Sequence, residues 1–397
     1  MNKRPGPTIF SSRLRPHLDT APLADLLATM RAAGRDILDL TEANPTRSGF
    51  CYDEAAILGA VSRPALLEYE PDPRGNLAAR RAVCEYYRQH GRQVAPESVF
   101  LVASTSEAYG YVGKLLGDPG DEILVPQPSY PLFESLFALE ALRPVPYLLR
   151  HQAGSGWEID LEYLRNQVST RTKAIVVVNP NNPTGSFLKA GELAGLNELC
   201  ALFGLALIVD EVFLDYGRIP AVNHWGSVAG NQAVLTFVLS GLSKIACLPQ
   251  MKLGWLQVSG PSPLYDQALD RLEHIADTYL SVGGAVQQAA ATLLGLGPAL
   301  QRQVLERLEE SQAYLAVALA KRPDVCLLPR EAGWYAVLQG RDESDDEERA
   351  CRLLEKAAVY VHPGYFYDFP RAGFCVISLL TPPSVFREGV DRLLPLW

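Results

Sequence analysis

The chain has 397 residues, 48% of them apolar and 20% charged, the balance of a globular protein and not of a disordered or fibrous one. With 36 Lys and Arg against 45 Asp and Glu, the formal charge of -9 supplies no global attraction for nucleic acid or an anionic membrane. The longest apolar stretch, Leu199 to Val209, falls well short of the ~18 residues of a spanning helix, so no membrane partner is expected either.

Seven cysteines, at 51, 84, 200, 247, 326, 351 and 375, are scattered and never form a CxxC pair, which argues against a disulfide framework and against a metal site. The opening MNKRPGPTIFSSRLRP carries positive charge without a following apolar run, so no secretory signal is visible and a cytoplasmic location is expected. An amphipathic segment, Pro22 to Gly34, predicts a helix that packs on a smaller domain.

Four short apolar runs follow, each ending in polar or turn-forming residues: Val99 to Ala103 before STSEA, Ala174 to Val178 before NPNNPTG, Leu205 to Val209 before DEVF, and Val234 to Leu239 before SGLSK. Continuous apolar runs of this length read as strands buried on both faces. The helical pattern between them, as in Ala190 to Phe203, predicts an α/β fold with a mostly parallel sheet flanked by helices. Ligands in such sheets sit at the carboxyl ends of the strands, where all four polar motifs fall. From Gln287 to Arg322 the pattern is one long helix. After it come short strands around Leu338, AVYVH and FCVIS, an acidic loop RDESDDEE, and a closing helix from Ser384 to Leu394. The expected division is a large domain over 48–284 and a smaller α+β domain built from 1–47 plus 285–397.

A protein that holds an aromatic aldehyde phosphate needs a lysine for the imine, a carboxylate for a protonated ring nitrogen, and an anion cradle. Lys244 in SGLSK and Asp210 at the end of LALIVD are placed for the first two roles. Ser104, Thr105 and Ser106 lie between a strand and a helical segment, where exposed N–H groups favour phosphate; plain N-capping accounts for them equally well. Asn182, in the turn NPNNPTG, can donate to a ligand oxygen.

The ordered set STSEA, PSYP, NPNNPTG, DEVF and SGLSK resembles the fold type I pyridoxal phosphate enzymes, specifically the class I and II aminotransferases. The resemblance implies pyridoxal 5'-phosphate as cofactor, bound as an imine to Lys244, which also moves the substrate proton. It implies that Asp210 pairs with the ring nitrogen, Asn182 bonds the phenolic oxygen, Tyr130 stacks on the ring, and Ser104, Thr105 and Ser106 hold the phosphate. Tyr69, in LEYEPDPRG, matches a tyrosine that reaches the cofactor of a neighbouring subunit, which implies a homodimer with shared active sites. The implied partners are a small amino donor and an oxo acceptor.

Several positions depart from the family pattern. Phe213 stands where a tyrosine donates to the phenolic oxygen, and loss of that donor should raise the imine pKa. Gly241 replaces a serine, and Lys252 replaces a phosphate arginine, keeping the charge without the bidentate fork. Val376, in GFCVISLLTPP, stands where an arginine clamps the substrate carboxylate, and valine cannot do this. Arg47, Arg330 and Arg371 are alternative cations, Asn44 is a further substrate contact, and Trp334, Tyr335, Tyr365 and Phe366 hint at an aromatic pocket. The expected activity is an aminotransferase acting between an amino acid or amine and a 2-oxo acid or ketone. A lyase, decarboxylase or cyclase on the same fold is the alternative that Val376 leaves open.

Overall fold

The computed structural model describes residues 9–11, 13, 22–152, 156–217, 225–342 and 345–397, so the opening MNKRPGPTIFSSRLRP lies largely outside the described residues. The eight strands of the large sheet are β1 (Val99–Val102), β2 (Glu122–Gln127), β3 (Arg143–Gln152), β4 (Gly156–Ile159), β5 (Thr172–Val178), β6 (Ala206–Asp210), β7 (Thr236–Gly241) and β8 (Gly254–Ser259). Their order across the sheet is β1-β8-β7-β6-β5-β2-β3-β4.

All four runs singled out in the sequence are strands of this sheet: three (β5, β6 and β7) are adjacent central strands, and the first, β1, is an edge strand paired only with β8. The parallel pairs are β2·β3, β2·β5, β5·β6 and β6·β7, whereas β8 runs antiparallel between β1 and β7, and β4 runs antiparallel at the far edge. The sheet is therefore mixed. The reversal of β8 has a consequence for the site: its first residue, Gly254, lies at the same edge as the last residues of its neighbours.

Helices cover both faces. Tyr109 and Val112 from helix Thr105–Leu116, Phe137 from Phe133–Leu139, and Leu272 from Leu264–Tyr279 join Phe237 and Leu256 in one core. Val83 from Leu77–Gln89, Leu196 from Ala190–Phe203, and Val286 to Leu293 join Val209, Val238 and Trp255 in another. The long helix runs Gly284–Leu319 with Pro298 inside it, and from Leu300 onward its buried side chains enter a third core with Leu353, Ile377 and Phe386. Leu23, Leu27 and Met30, on the helix Pro22–Ala32, pack there too, as their spacing predicts.

A second, antiparallel sheet has the order Val325–Leu327, Tyr335–Gly340, Phe374–Ser378, His362–Pro363. Its side chains alternate between cores: Val337, Phe374 and Val376 join the large-sheet core, while Ala336, Leu338, Cys375 and Ile377 join the third. The acidic loop is corrected in part. Asp345 caps a helix, Asp346–Ala357, whose first turn holds Asp346, Glu347 and Glu348, where carboxylates offset the exposed N–H groups and the helix dipole.

Candidate active site

The carboxyl ends of β1, β5, β6 and β7 and the start of β8 surround a cavity of about 290 Å³. Ser104, Thr105, Ser106, Tyr130, Asn182, Asp210 and Lys244 all line it. Seven residues from five separate sequence segments thus meet at one sheet edge.

Asp210 ends β6 and is buried. Its Oδ1 accepts from the Val212 N–H at 3.1 Å and its Oδ2 from the Tyr109 hydroxyl at 3.1 Å. Burial pushes its carboxyl up to about 6, against the opposing pull of the Val212 N–H, the Tyr109 hydroxyl and Lys244. Lys244 sits in the short helix Leu242–Ile245 that follows β7. Burial brings its amine down to about 8, countered by Cys247 and Asp210. The ammonium lies 4.6 Å from the Trp334 ring centre and 5.5 Å from that of Phe213. The site therefore holds an amine that is partly neutral near pH 8, facing a carboxylate across the cavity.

The side of the cavity suited to an anion is built from backbone. Thr105 and Ser106 open the helix Thr105–Leu116, with its unpaired N–H groups at the cavity. The Ser104 hydroxyl is committed as the cap, accepting from the Glu107 N–H at 3.2 Å. Gly241 and Gly254 pair across β7 and β8 beside this turn. A Cβ on Gly254 would come within 3.1 Å of the Ser240 carbonyl oxygen and 3.4 Å of the Thr105 nitrogen. One on Gly241 would lie 2.9 Å from both the Gly254 Cα and the Leu253 oxygen, which explains why no serine stands there. Opposite, Asn182 is buried and its Oδ1 has no partner within the protein. A bound ligand in the cavity would meet that polar side chain, the exposed N–H groups and the Asp210–Lys244 pair together. These residues fit pyridoxal phosphate.

Other sequence candidates lie elsewhere. Lys252 is exposed after the turn Pro249–Met251 and does not line the cavity, although the adjoining Leu253 does. Tyr69 is 82% exposed and borders a separate surface cavity with Asn76 and Tyr111. The Asn44 side chain caps a turn by accepting from the Thr46 N–H and hydroxyl, and exposed Arg47 lies 3.9 Å from Glu42. Arg330 is buried, donating to Gln312 and to the Gly333 carbonyl. Arg371 is exposed, with its guanidinium 5.5 Å from the Phe374 ring centre. Val376 is fully buried between Val337 and His362 in the second sheet. Among the described residues, Lys244 is the only lysine or arginine lining the cavity.

Of the four aromatic candidates, Tyr335 lines the cavity and Trp334 touches Lys244, while Tyr365 and Phe366 are exposed. Tyr216 does not take the place of the missing phenol at 213: its hydroxyl donates to the Lys244 carbonyl at 2.6 Å. Tyr109 escaped the sequence reading, although its spacing of four from Thr105 puts it on the same helix face as the cradle.

Residues 44–393 match the sequence model of the aminotransferase class I and II family, and the chain belongs to that family. It is a pyridoxal-phosphate-dependent enzyme that transfers an amino group between an amino donor and an oxo acceptor. It is 28% identical to the alanine aminotransferase of Mycobacterium tuberculosis, over 98% of this chain and 94% of that protein. It is 29% identical to the glutamate-pyruvate aminotransferase AlaA of Escherichia coli, over 85% of this chain and 84% of that one. An aminotransferase structure from Escherichia coli superposes with a TM-score of 0.84 at 25% identity, covering 97% of each chain. The alanine aminotransferase of Pyrococcus furiosus shares the fold with a TM-score of 0.85, at 24% identity over 96% of this chain and 98% of that one.

Proposed function

We propose that Lys244 carries the cofactor and moves the substrate proton, with Asp210 on the ring nitrogen, Asn182 on the phenolic oxygen, Tyr130 against the ring, and the Ser104–Ser106 turn on the phosphate. The observation that supports this most is the convergence of Lys244 and Asp210 on one cavity that also holds a helix N-terminus. Bound pyridoxal phosphate supplies the reactive aldehyde and an electron-withdrawing ring. Asp210, buried and hydrogen-bonded by Tyr109, keeps negative charge where a protonated ring nitrogen needs it. Lys244, with its lowered affinity for a proton, accepts one from the substrate carbon and returns it. Tyr130, Phe133 and Leu136 narrow the cavity and exclude water from that exchange.

A small amino acid is the proposed donor and a 2-oxo acid the proposed acceptor, as the names of the mycobacterial and Escherichia coli relatives suggest. In this reading the donor carboxylate is not held from position 376, since Val376 faces a packed core. The test is a panel of donors, alanine and glutamate beside amines without a carboxylate, added to the loaded enzyme while the cofactor's absorption is followed. Conversion to the aminated cofactor by amino acids supports the reading. Product release with the cofactor returned unchanged would move the assignment to the lyase, decarboxylase or cyclase chemistry.

We also infer a homodimer with shared active sites, on the strength of Leu67 at 91% and Tyr69 at 82% exposure on one loop, an apolar surface suited to a second copy. Light scattering checks the mass, and a Tyr69→Phe variant that retains full cofactor affinity would count against a phosphate role for that residue. A cytoplasmic location fits seven free cysteines. The division into 48–284 and 1–47 plus 285–397 is kept as a proposal, with the helix Gly284–Leu319 straddling it.

A further inference from the structure

The Lys244 side chain is enclosed at both ends by aromatic rings that no motif of the sequence announces as a unit. Phe213 and Trp334 meet edge to face at 5.2 Å, and Tyr216 and Trp334 do so at 5.0 Å. Tyr216 fixes the lysine's backbone carbonyl and lies 3.3 Å from Cys247 Sγ. The rings are themselves anchored. The Gly333 N–H donates to the Tyr216 carbonyl and the Leu379 N–H to the Trp334 carbonyl. Asp215, beside Tyr216, accepts from the Tyr86 hydroxyl at 3.0 Å and pairs with His90 Nε2 at 2.9 Å. Trp334 is fully buried, so its face is held at a fixed distance from the amine.

An ammonium over an indole face is attracted by the negative face of the ring, more strongly for Trp than for Phe and more strongly out of water. Phe213 presents a ring without a hydroxyl, so this wall offers the amine π faces where a phenol would offer a hydrogen bond. We propose that Trp334, with Phe213, forms a seat for the Lys244 ammonium, making Trp334 a positioning residue that fixes where the amine waits whenever it is not bonded to the cofactor. This rests on the assignment of Lys244 given above. The seat limits the rotamers of a long side chain and holds the amine at the cavity wall, ready for the next proton transfer.

The seat also opposes the effect of burial. Burial lowers the amine's proton affinity, while the ring faces favour its charged form. The other titratable groups around it are Asp210 with its partner Tyr109, Cys247 with Tyr52 on its carbonyl, Tyr130 and Tyr335 on the cavity wall, Glu211 beyond Asp210, and the His90–Asp215–Tyr86 set behind Tyr216.

The experiment is competitive acetylation of the cofactor-free protein across pH, with Lys244 resolved by peptide mass spectrometry. Its midpoint in the wild type is expected at about 8. Trp334→Leu should lower that midpoint by roughly 0.4 to 1 pH units, and Trp334→Phe by less. Because Trp334 is buried, Trp334→Leu may be replaced by Phe213→Leu if it does not fold, with a smaller downward shift expected. An unchanged or raised midpoint in these variants overturns the seat. Labelling without cofactor reads the seat independently of the lysine's role, whereas borohydride trapping of the cofactor, followed by peptide mapping, reads the role alone.

Discussion

The two walls of the cavity are built by different means. The wall toward β5, β6 and the helix at Thr105 is polar and made at strand and helix ends: Asp210 ends β6, Thr105 and Ser106 open a helix, and Asn182 sits in the turn after β5. The wall toward the second sheet is aromatic and assembled from distant segments: Phe213 and Tyr335 line it and meet through tertiary packing, and buried Trp334 packs against Phe213. The polar wall suits a fixed cofactor, whose charged groups need partners that never move. The aromatic wall suits parts that change during turnover, since π faces accept a cation or an apolar group without demanding one hydrogen-bond geometry. Position 376, where the family pattern carries an arginine, holds a valine that joins a packed core and supplies no cation to either wall.

The comparison breaks most directly at the polar wall. Lys244→Ala should reduce turnover on the order of 10,000-fold, since no other lysine or arginine lines the cavity among the described residues; steady-state kinetics of the loaded variant checks it. Asp210→Asn should cost roughly 100- to 1,000-fold in kcat by removing the charge that we propose pairs with the ring nitrogen.

The same substitution has a stability consequence of opposite sign in the cofactor-free protein. The folded-state carboxyl titrates at about 6, above its ordinary value of 3.8, so the folded chain holds more protons than the unfolded one between those limits and loses stability as pH rises through that window. Cofactor-free Asp210→Asn should therefore overtake the wild type as pH goes from about 4 to 6, by about 2 kcal/mol at the upper end. Denaturant melts at several pH values read this difference; a constant offset across the window would contradict it.

The aromatic wall gives smaller effects on activity. Val376→Arg should destabilise the fold by about 3 kcal/mol, as a charge forced among Val337, Phe374 and Leu328, and should lower the melting temperature without improving use of carboxylate donors. Tyr216→Phe should cost about 1 kcal/mol of stability through loss of the bond to the Lys244 carbonyl, with a few-fold drop in kcat and little change in KM. A larger change in KM than in kcat would mean that Tyr216 serves substrate binding instead.

The polar wall was legible in the sequence because an apolar run followed by a polar residue states both the strand and what stands at its end; Asp210 after Leu205 to Val209 is the clearest case. The direction of a strand is not stated this way. A run buried on both faces looks the same parallel or antiparallel, so the reversal of β8, which brings Gly254 to the cradle, could not be read. Charge was misleading at Asp345 to Glu348, where the carboxylates of the expected acidic loop cap and open a helix. Arg330, Arg371, Arg47 and Asn44 were named from residue type, but the partners that occupy them lie across the fold or in a local turn, and spacing carries no record of those contacts. The bond from the Tyr216 hydroxyl to the carbonyl of Lys244, 28 residues away, is tertiary and leaves no mark in the spacing.

The most direct test of the account is reduction of the cofactor-loaded protein with borohydride, followed by proteolysis and mass mapping of the modified peptide. The account predicts a single pyridoxyl adduct on Lys244, in the peptide that contains SGLSK. An adduct on another lysine, or none at all, would contradict it.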